Sequence, residues 1–170
     1  PADLKGMGLR ASGSASDILD RLGATPVSMP MSDTPEALQK GMIEGLLSSP
    51  EVMLDLNFAE YCPYVTIGNF QVYPFAVVMN RDRWRELSAD VREVMLDLGR
   101  EQAEWTGKYV DGHVDKALEY SRTKHDVTVL EFSEKERRSI QERIRPLIGE
   151  WKEKARKKGL PAEKILQDVR

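Results

Sequence analysis

The sequence predicts an α/β fold whose second half is mainly helical. In the first sixty or so residues, short apolar strands alternate with amphipathic helices, an order typical of a parallel sheet. After Ser88, apolar residues keep the helical period for more than about thirty positions, which predicts one long helix. Residues 133–170 then carry further helical patterns. Together these observations predict an α/β body, a long helix and C-terminal helices.

The first strand–helix unit contains the most suggestive residue of the chain. Met7 and Leu9 alternate with glycine, which predicts a short strand that ends at Arg10. We expect Ser14 to be the N-cap of the following helix and Gly23 to end it. Arg10 therefore stands where the first strand gives way to a loop of small residues.

Two more units follow the first. We predict a strand at Thr25–Met31, a helix that opens at Ser32 and closes near Gly45, and a very short strand at 46–47. Another helix begins near Pro50, since proline suits the first helical turn, and it ends before Cys62.

The strongest strand signals lie in the middle of the chain, at Tyr64–Ile67 and Val72–Met79. The second is almost entirely apolar, as in a strand buried on both faces, although Pro74 indicates an edge or a bulge. Asn80 is the predicted cap of a short helix, and Ser88 opens the long one.

The remaining signals concern the C-terminal part. We expect a last strand around residues 127–130, followed by a capping box formed by Ser133 and Glu136. The helix that begins there should be kinked by Pro146, and a final helix should begin at Pro161.

Composition excludes several classes of function. The net charge of −3 argues against nucleic acid as the main partner. Cys62 is the single cysteine, so no disulfide within the chain is possible, and we expect an inert, half-buried thiol. His113 and His125 have no catalytic motif around them, and no spacing of ligands indicates a metal or cofactor. No apolar run is long enough to span a bilayer.

A binding site is a better reading than a catalytic one. Arg10, Met31, Ser48, Ser49 and the pair Asn69–Phe70 each lie at or near the end of a predicted strand. If these strands share one parallel sheet, their ends could line one cleft. A guanidinium with small hydroxyl donors and apolar walls would suit a small molecule that carries a carboxylate or phosphate. Independent surface roles for each residue remain the alternative.

At these positions the chain resembles the solute-binding proteins of TRAP transporters of the DctP type. The resemblance rests on ordered motifs: DLKGMGLR at 3–10, GATPV at 23–27, MPMSD at 29–33, ALQKGMIEG at 37–45 and FAVVMN at 75–80. The trailing LSADV at 87–91 and the long helix also fit. It implies a type II periplasmic-binding-protein-like lobe with a long helix that crosses between lobes.

The resemblance also implies a function and a set of site residues. Such receptors hold an organic acid between two lobes in the periplasm and deliver it to the membrane subunits of a TRAP permease, without catalysis. Arg10 matches the arginine that binds the ligand carboxylate. Met31 and Ser48 stand where relatives have an aromatic residue and an asparagine. The expected ligand-binding set also includes Ser49 and three further residues, Asn69, Phe70 and Tyr73, whose match to the family's positions is less direct.

The resemblance divides the chain into three parts. Residues 1–71 would form the second ligand-binding lobe, residues 72–132 a crossover strand, the long helix and a return strand, and residues 133–170 the C-terminal helices. The first lobe of the relatives would lie before residue 1, outside this chain. Apolar residues such as Trp105 and Tyr109 would then need another partner, and a domain-swapped or associated dimer is one way to supply it.

Two other classes of function stay open at this point. A small α/β enzyme could use Arg10 as a carboxylate clamp, although no base or nucleophile is evident beside it. A helical interaction module could use the long helix and the basic run at 152–158.

Overall fold

A computed structural model describes residues 2–168. The strands are β1 (Gly8–Arg10), β2 (Thr25–Val27), β3 (Gly45–Leu46), β4 (Tyr64–Ile67) and β5 (Thr128–Glu131). The α-helices are α1 (Ser14–Leu22), α2 (Thr34–Gln39), α3 (Val52–Asp55), α4 (Arg81–Glu86), α5 (Ala89–His125), α6 (Glu134–Ile144), α7 (Pro146–Lys157) and α8 (Ala162–Asp168).

The chain forms two compact units. The first comprises the residues up to Ser48, Tyr64–Gln71 and the residues from Val129 onward. The second comprises Ser49–Pro63 and Val72–Thr128, and it therefore contains the whole of α5. The α/β body and the C-terminal helices α6 to α8 belong to the same unit.

The first unit is built on a parallel sheet in the order β2-β1-β3. Arg10, the last residue of the central strand, is opposite Val27 in β2 and Leu46 in β3. Leu9 is buried with the small and aliphatic residues of α1, so the helix packs on the sheet through its apolar stripe. This confirms the predicted α/β alternation and the placement of Arg10 at a strand end.

Several predicted boundaries are wrong in detail. The N-cap of α1 is Gly13 rather than Ser14, although Gly23 ends the helix in the predicted left-handed conformation, at φ 92°. The strand predicted over Thr25–Met31 stops at Val27, and Pro30 then caps a 3₁₀ turn that begins at Met31.

The helix predicted to close near Gly45 is also shorter than expected. It ends at Gln39, since Gly41 takes a left-handed conformation with φ 65° that breaks the helical path. Gly45 instead opens β3, where its missing side chain leaves room for Leu9: a Cβ there would lie 3.2 Å from the Leu9 Cδ2 atom.

β4 and β5 form a separate two-stranded sheet, so the condition that all the predicted strands share one parallel sheet is not met. Along β4, half-buried residues alternate with exposed ones, which is the pattern of a ribbon with one covered face. After β5, the helices α6 and α7 are separated only by Arg145, which keeps helical dihedrals before Pro146, so the disturbance predicted at this proline divides the segment into two helices.

The predicted capping box is confirmed at the start of α6. The Ser133 N–H and hydroxyl donate to Glu136 Oε2 at 2.9 and 2.7 Å, and the Glu136 N–H donates back to the Ser133 hydroxyl. The bonds from Ser133, its side-chain hydroxyl first, lower the pKa of the Glu136 carboxyl. A carboxyl whose pKa is lowered on folding stabilises the folded state above its unfolded pKa, and this stabilisation is lost as the pH falls.

We therefore expect the Glu136→Gln variant to lose part of the stability difference between neutral pH and about pH 3.5, below the ordinary carboxyl pKa. Ser133→Ala should cost about 0.5–2 kcal/mol at neutral pH through the lost cap. Urea unfolding at the two pH values measures both effects. Glu134→Gln, in the same first turn, is the control, and an equal loss in that variant would contradict the assignment to the capping box.

The second unit is organised by α5, whose 37 residues confirm the predicted long helix. Its C-terminal half packs against α3. Phe58, which follows α3 in the same unit, has no exposed surface. The part of α5 up to Val110 is largely exposed: Trp105 and Tyr109, 57% and 50% exposed, stack on each other with ring centroids 5.0 Å apart. The expectation that these residues need a further partner agrees with this exposure, and association of two copies stays a prediction.

The strand predicted at Val72–Met79 is absent from the described structure. Residues 72–80 form no ladder with any described strand, and Phe75 and Val77 are almost fully exposed. A strand with apolar side chains on both faces needs a ladder to neighbouring strands and a layer packed over each face. Among the described residues this segment forms no ladder and leaves Phe75 and Val77 uncovered. The apolar pattern of this segment therefore predicts burial, but the segment is exposed in the described structure.

Candidate functional site

Three of the predicted site residues lie at one edge of the parallel sheet. Arg10 is the last residue of β1, Met31 follows β2, and Ser48 follows β3. Because the three strands are parallel, their carboxyl ends meet at the same edge. This is the edge at which open α/β sheets bind ligands.

The Arg10 side chain is held in place by a backbone carbonyl. Its Nε and Nη2 atoms both donate to the Met29 oxygen, at 3.2 and 3.0 Å. The residue is only 8% exposed, although arginine is rarely buried unless paired. The Nε–Nη2 edge of the guanidinium is therefore fixed. The other edge, formed by Nη1 and the second N–H of Nη2, has donors left for another acceptor.

Within residues 2–168, Arg10 forms no ion pair with an acidic side chain. A buried charge that only a carbonyl dipole compensates is costly, and an anion of matching shape would lower that cost. The free Nη1–Nη2 edge has the fork geometry that binds both oxygens of a carboxylate. The geometry thus suits an external carboxylate.

Met31 is held beside this strand end by the start of α2. It opens the 3₁₀ turn Met31–Asp33, and the hydroxyl of the fully buried Thr34 lies 3.9 Å from its sulfur. The same hydroxyl donates to the Pro30 oxygen at 3.3 Å. Met31 is half-buried, so it presents a soft apolar surface at the edge that carries Arg10.

The segment after β4 is shaped by packing. Asn69 takes a left-handed conformation with φ 49°, and the Phe70 ring covers Gly68: a Cβ on Gly68 would lie 2.1 Å from the ring's Cε1 atom. Phe70 packs against the cluster of Ile18, Leu22 and Ile140, and its ring centroid is 6.5 Å from that of Phe132. The described contacts of Phe70 are thus those of a core residue.

Ser49 and Tyr73 belong to the second unit. The Ser49 hydroxyl donates to the Glu51 carboxylate, and the other oxygen of that carboxylate is buried without a partner among the described residues. The structure therefore brings together Arg10, Met31 and Ser48, whereas Ser49 and Tyr73 lie on another body and Asn69 and Phe70 follow a strand of another sheet.

The other reactive side chains have ordinary structural roles. Burial raises the pKa of the Cys62 thiol, so the protonated and unreactive form is favoured at neutral pH. His113 Nε2 lies 2.8 Å from the Asp55 carboxylate and joins α5 to α3, while His125 contacts the Tyr120 hydroxyl at 3.1 Å. These contacts give both histidines a role in packing.

Sequence reasoning missed the two groups that orient the site. The Met29 carbonyl fixes Arg10, and no sequence signal identifies a backbone acceptor of this kind. Thr34 supports Met31, but in the sequence it looks like part of a helix start before Pro35. Both groups lie in the MPMSD motif and the residue after it.

Comparison with known proteins matches residues 1–154 to a family described as bacterial extracellular solute-binding protein, family 7. This chain belongs to that family. The family-7 match confirms the resemblance drawn from the sequence motifs, and family 7 is one of solute-binding receptors rather than enzymes.

Individual relatives agree with the family assignment. The C4-dicarboxylate-binding periplasmic protein of Rhodobacter capsulatus is 26% identical over 91% of this chain and 47% of its own length. A TRAP periplasmic solute-binding protein from Desulfovibrio salexigens is 54% identical, with a TM-score of 0.84 over 98% of this chain and 52% of its own. In that crystal structure, the C-terminus of a symmetry mate is bound in the ligand-binding site.

A third relative binds a different class of ligand. A marine metagenome TRAP solute-binding protein, specific for aromatic acids, is 26% identical with a TM-score of 0.82 over 98% of this chain and 54% of its own. The family-7 chain described here thus has the fold of TRAP periplasmic solute-binding proteins and spans about half the length of the relatives it matches. Among residues 2–168, no helix has the length and apolar character that crossing a membrane requires.

Proposed function

We propose that this chain supplies the carboxylate-anchoring lobe of an extracytoplasmic receptor, which binds an organic acid and delivers it to a TRAP-type permease. In this proposal, residues 1–71 form the ligand-binding lobe and the receptor works in the periplasm without catalysis. The observation that carries the proposal is the Arg10 guanidinium: buried, fixed on one edge by Met29 and without an acidic partner among the described residues.

The related proteins support the same assignment. The C-terminus that occupies the ligand-binding site of the Desulfovibrio protein is the end of a polypeptide, a group that carries a carboxylate. Two curated relatives, from Bacillus subtilis and Rhodobacter capsulatus, are named as C4-dicarboxylate-binding proteins, and C4-dicarboxylates are again organic anions. A receptor of this kind would close on the acid because the closed state binds it better than the open state does.

In the proposed site, Arg10 binds both carboxylate oxygens, Met31 contacts the body of the ligand and Ser48 donates a hydroxyl hydrogen bond. Ser49, Asn69, Phe70 and Tyr73 are retained as proposed members, with Phe70 acting through its packing.

Calorimetric titration of the full-length protein tests the proposal. The titrants are a panel of organic acids, each beside its uncharged primary amide. Binding of an acid and loss of binding for the amide of the same shape would support a carboxylate receptor. Equal binding of acid and amide, or turnover of a bound acid, would overturn it.

A further inference from the structure

We infer that Thr34 is a positioning residue for the carboxylate anchor: its hydroxyl fixes the backbone turn whose Met29 carbonyl holds the Arg10 side chain. The inference rests on the proposed function, because it gives a role in the same site to a residue that acts through other residues. It is carried by hydrogen bonds that all lie within the first unit.

The backbone and the side chain of Arg10 are fixed by different groups. In the sheet, the Arg10 oxygen accepts a hydrogen bond from the Leu47 N–H at 2.9 Å. The next N–H, that of Ala11, donates to the Val27 oxygen at 3.1 Å. These bonds leave the rotatable bonds of the arginine side chain free, so they do not set the direction of the guanidinium. That direction depends on the Met29 oxygen, which accepts from Nε and Nη2 at 3.2 and 3.0 Å.

The Met29 carbonyl belongs to the peptide group that joins Met29 to Pro30. The proline ring restricts φ of Pro30, which is −55°, and the proline also disfavours a helical conformation for Met29. One softer torsion, ψ of Pro30 at 148°, then relates this peptide group to the next one. A group that holds the Pro30 carbonyl therefore also orients the Met29 carbonyl.

Thr34 is the side chain that holds the Pro30 carbonyl. Its hydroxyl donates to the Pro30 oxygen at 3.3 Å, and its N–H donates to the Met31 oxygen. Thr34 has no exposed surface, so burial protects this hydrogen bond from competing water. The Asp33 N–H donates to the same Pro30 oxygen at 3.2 Å, but only the hydroxyl of Thr34 ties that oxygen to the first residue of α2. The helix α2 is thus connected to the guanidinium of Arg10 through one side chain and one rigid turn.

Solvent exchange of the Arg10 Nε–H tests the inference without any ligand. In NMR spectra of the full-length protein, this N–H is the side-chain signal that disappears in Arg10→Lys. Thr34→Val keeps the branched shape and removes the hydroxyl. We expect it to speed exchange of the Arg10 Nε–H about threefold or more, because the carbonyl acceptor is no longer held. Thr34→Ser keeps the hydroxyl and should exchange within about twofold of the wild-type rate.

Ser121→Ala is the matched control. Ser121 is also fully buried, and its hydroxyl donates to the Ala117 oxygen at 2.7 Å in the other unit. This variant loses a buried hydroxyl hydrogen bond of the same kind, and exchange of the Arg10 Nε–H should stay unchanged. Unchanged exchange in Thr34→Val, or equally fast exchange in Ser121→Ala, would overturn the inference.

Ligand affinity gives a second test, with phenylacetate and succinate as calorimetric probes of the full-length protein. Thr34→Val should weaken the tighter-binding acid about threefold or more, but it should have almost no effect in the Arg10→Met background, where the guanidinium is absent. A similar loss in both backgrounds would show that Thr34 acts elsewhere, for example through Met31, and would overturn the inference.

The two measurements separate this inference from the proposed function. Unchanged affinity in Arg10→Met would overturn the anchoring role itself, whereas unchanged Nε–H exchange in Thr34→Val would overturn only the role of Thr34. Because exchange is measured on the free protein, it decides the inference even where neither probe binds.

Discussion

Replacing Arg10 by methionine should weaken binding of the acid ligand by about 30-fold or more, the loss expected when one partner of a buried charge pair is removed. Methionine keeps much of the apolar stem and removes the charge and the fork. Without the guanidinium, the ligand carboxylate would be desolvated with no cation opposite it. Calorimetric titration of the full-length protein with its best acid ligand measures the loss.

The Arg10→Lys variant separates charge from geometry. A lysine keeps the positive charge, but its ammonium cannot hold the Met29 carbonyl on one edge and both ligand oxygens on the other. We expect its affinity to lie between those of wild type and Arg10→Met. Arg138→Met, at an exposed position on α6 in the same unit, is the control. Unchanged affinity in Arg10→Met would rule out the anchoring role, and equal affinity of the lysine variant would rule out the fork.

The sequence predicted best where a single local cause determines the structure. The capping box at Ser133, the left-handed Gly23 and the strand that ends at Arg10 each depend on a few neighbouring residues, and each is found in the structure. The prediction failed at Val72–Met79, where a buried strand needs neighbouring strands for its hydrogen bonds and a layer packed on each face. Local pattern shows that such a segment prefers burial, but it does not show which strands will flank it.

The same distinction explains the candidate site. Arg10, Met31 and Ser48 could be grouped in advance because the ends of parallel strands share one edge. The separate pairing of β4 with β5 has no local signal in the sequence, and it leaves unmet the condition that would bring Asn69 and Phe70 to the same edge. The acceptor for Arg10 is a backbone carbonyl, which every residue has, so the sequence does not distinguish Met29 from its neighbours.

The packing of Phe70 gives the second large prediction, at Gly68. This glycine does not have the positive φ that would require glycine, so its role is to make room for the ring above it. A Cβ at this position would lie 2.1 and 2.4 Å from two atoms of the Phe70 ring, closer than non-bonded atoms approach. Gly68→Ala should therefore displace the ring from its cluster and cost about 1–3 kcal/mol of unfolding free energy, the usual cost of overpacking.

A double-mutant cycle shows whether the ring is the cause. In the Phe70→Ala background there is no ring to displace, so Gly68→Ala should then cost almost nothing, and the coupling between the two positions should be large. Gly149→Ala is the matched control: a Cβ there meets no atom within 4 Å, and alanine suits the interior of α7 better than glycine does. Urea unfolding of the four variants and the wild type gives the unfolding free energy of each, and hence the coupling energy between positions 68 and 70. A Gly68→Ala cost that persists without the Phe70 ring would show that the backbone, and not the ring, requires glycine at this position.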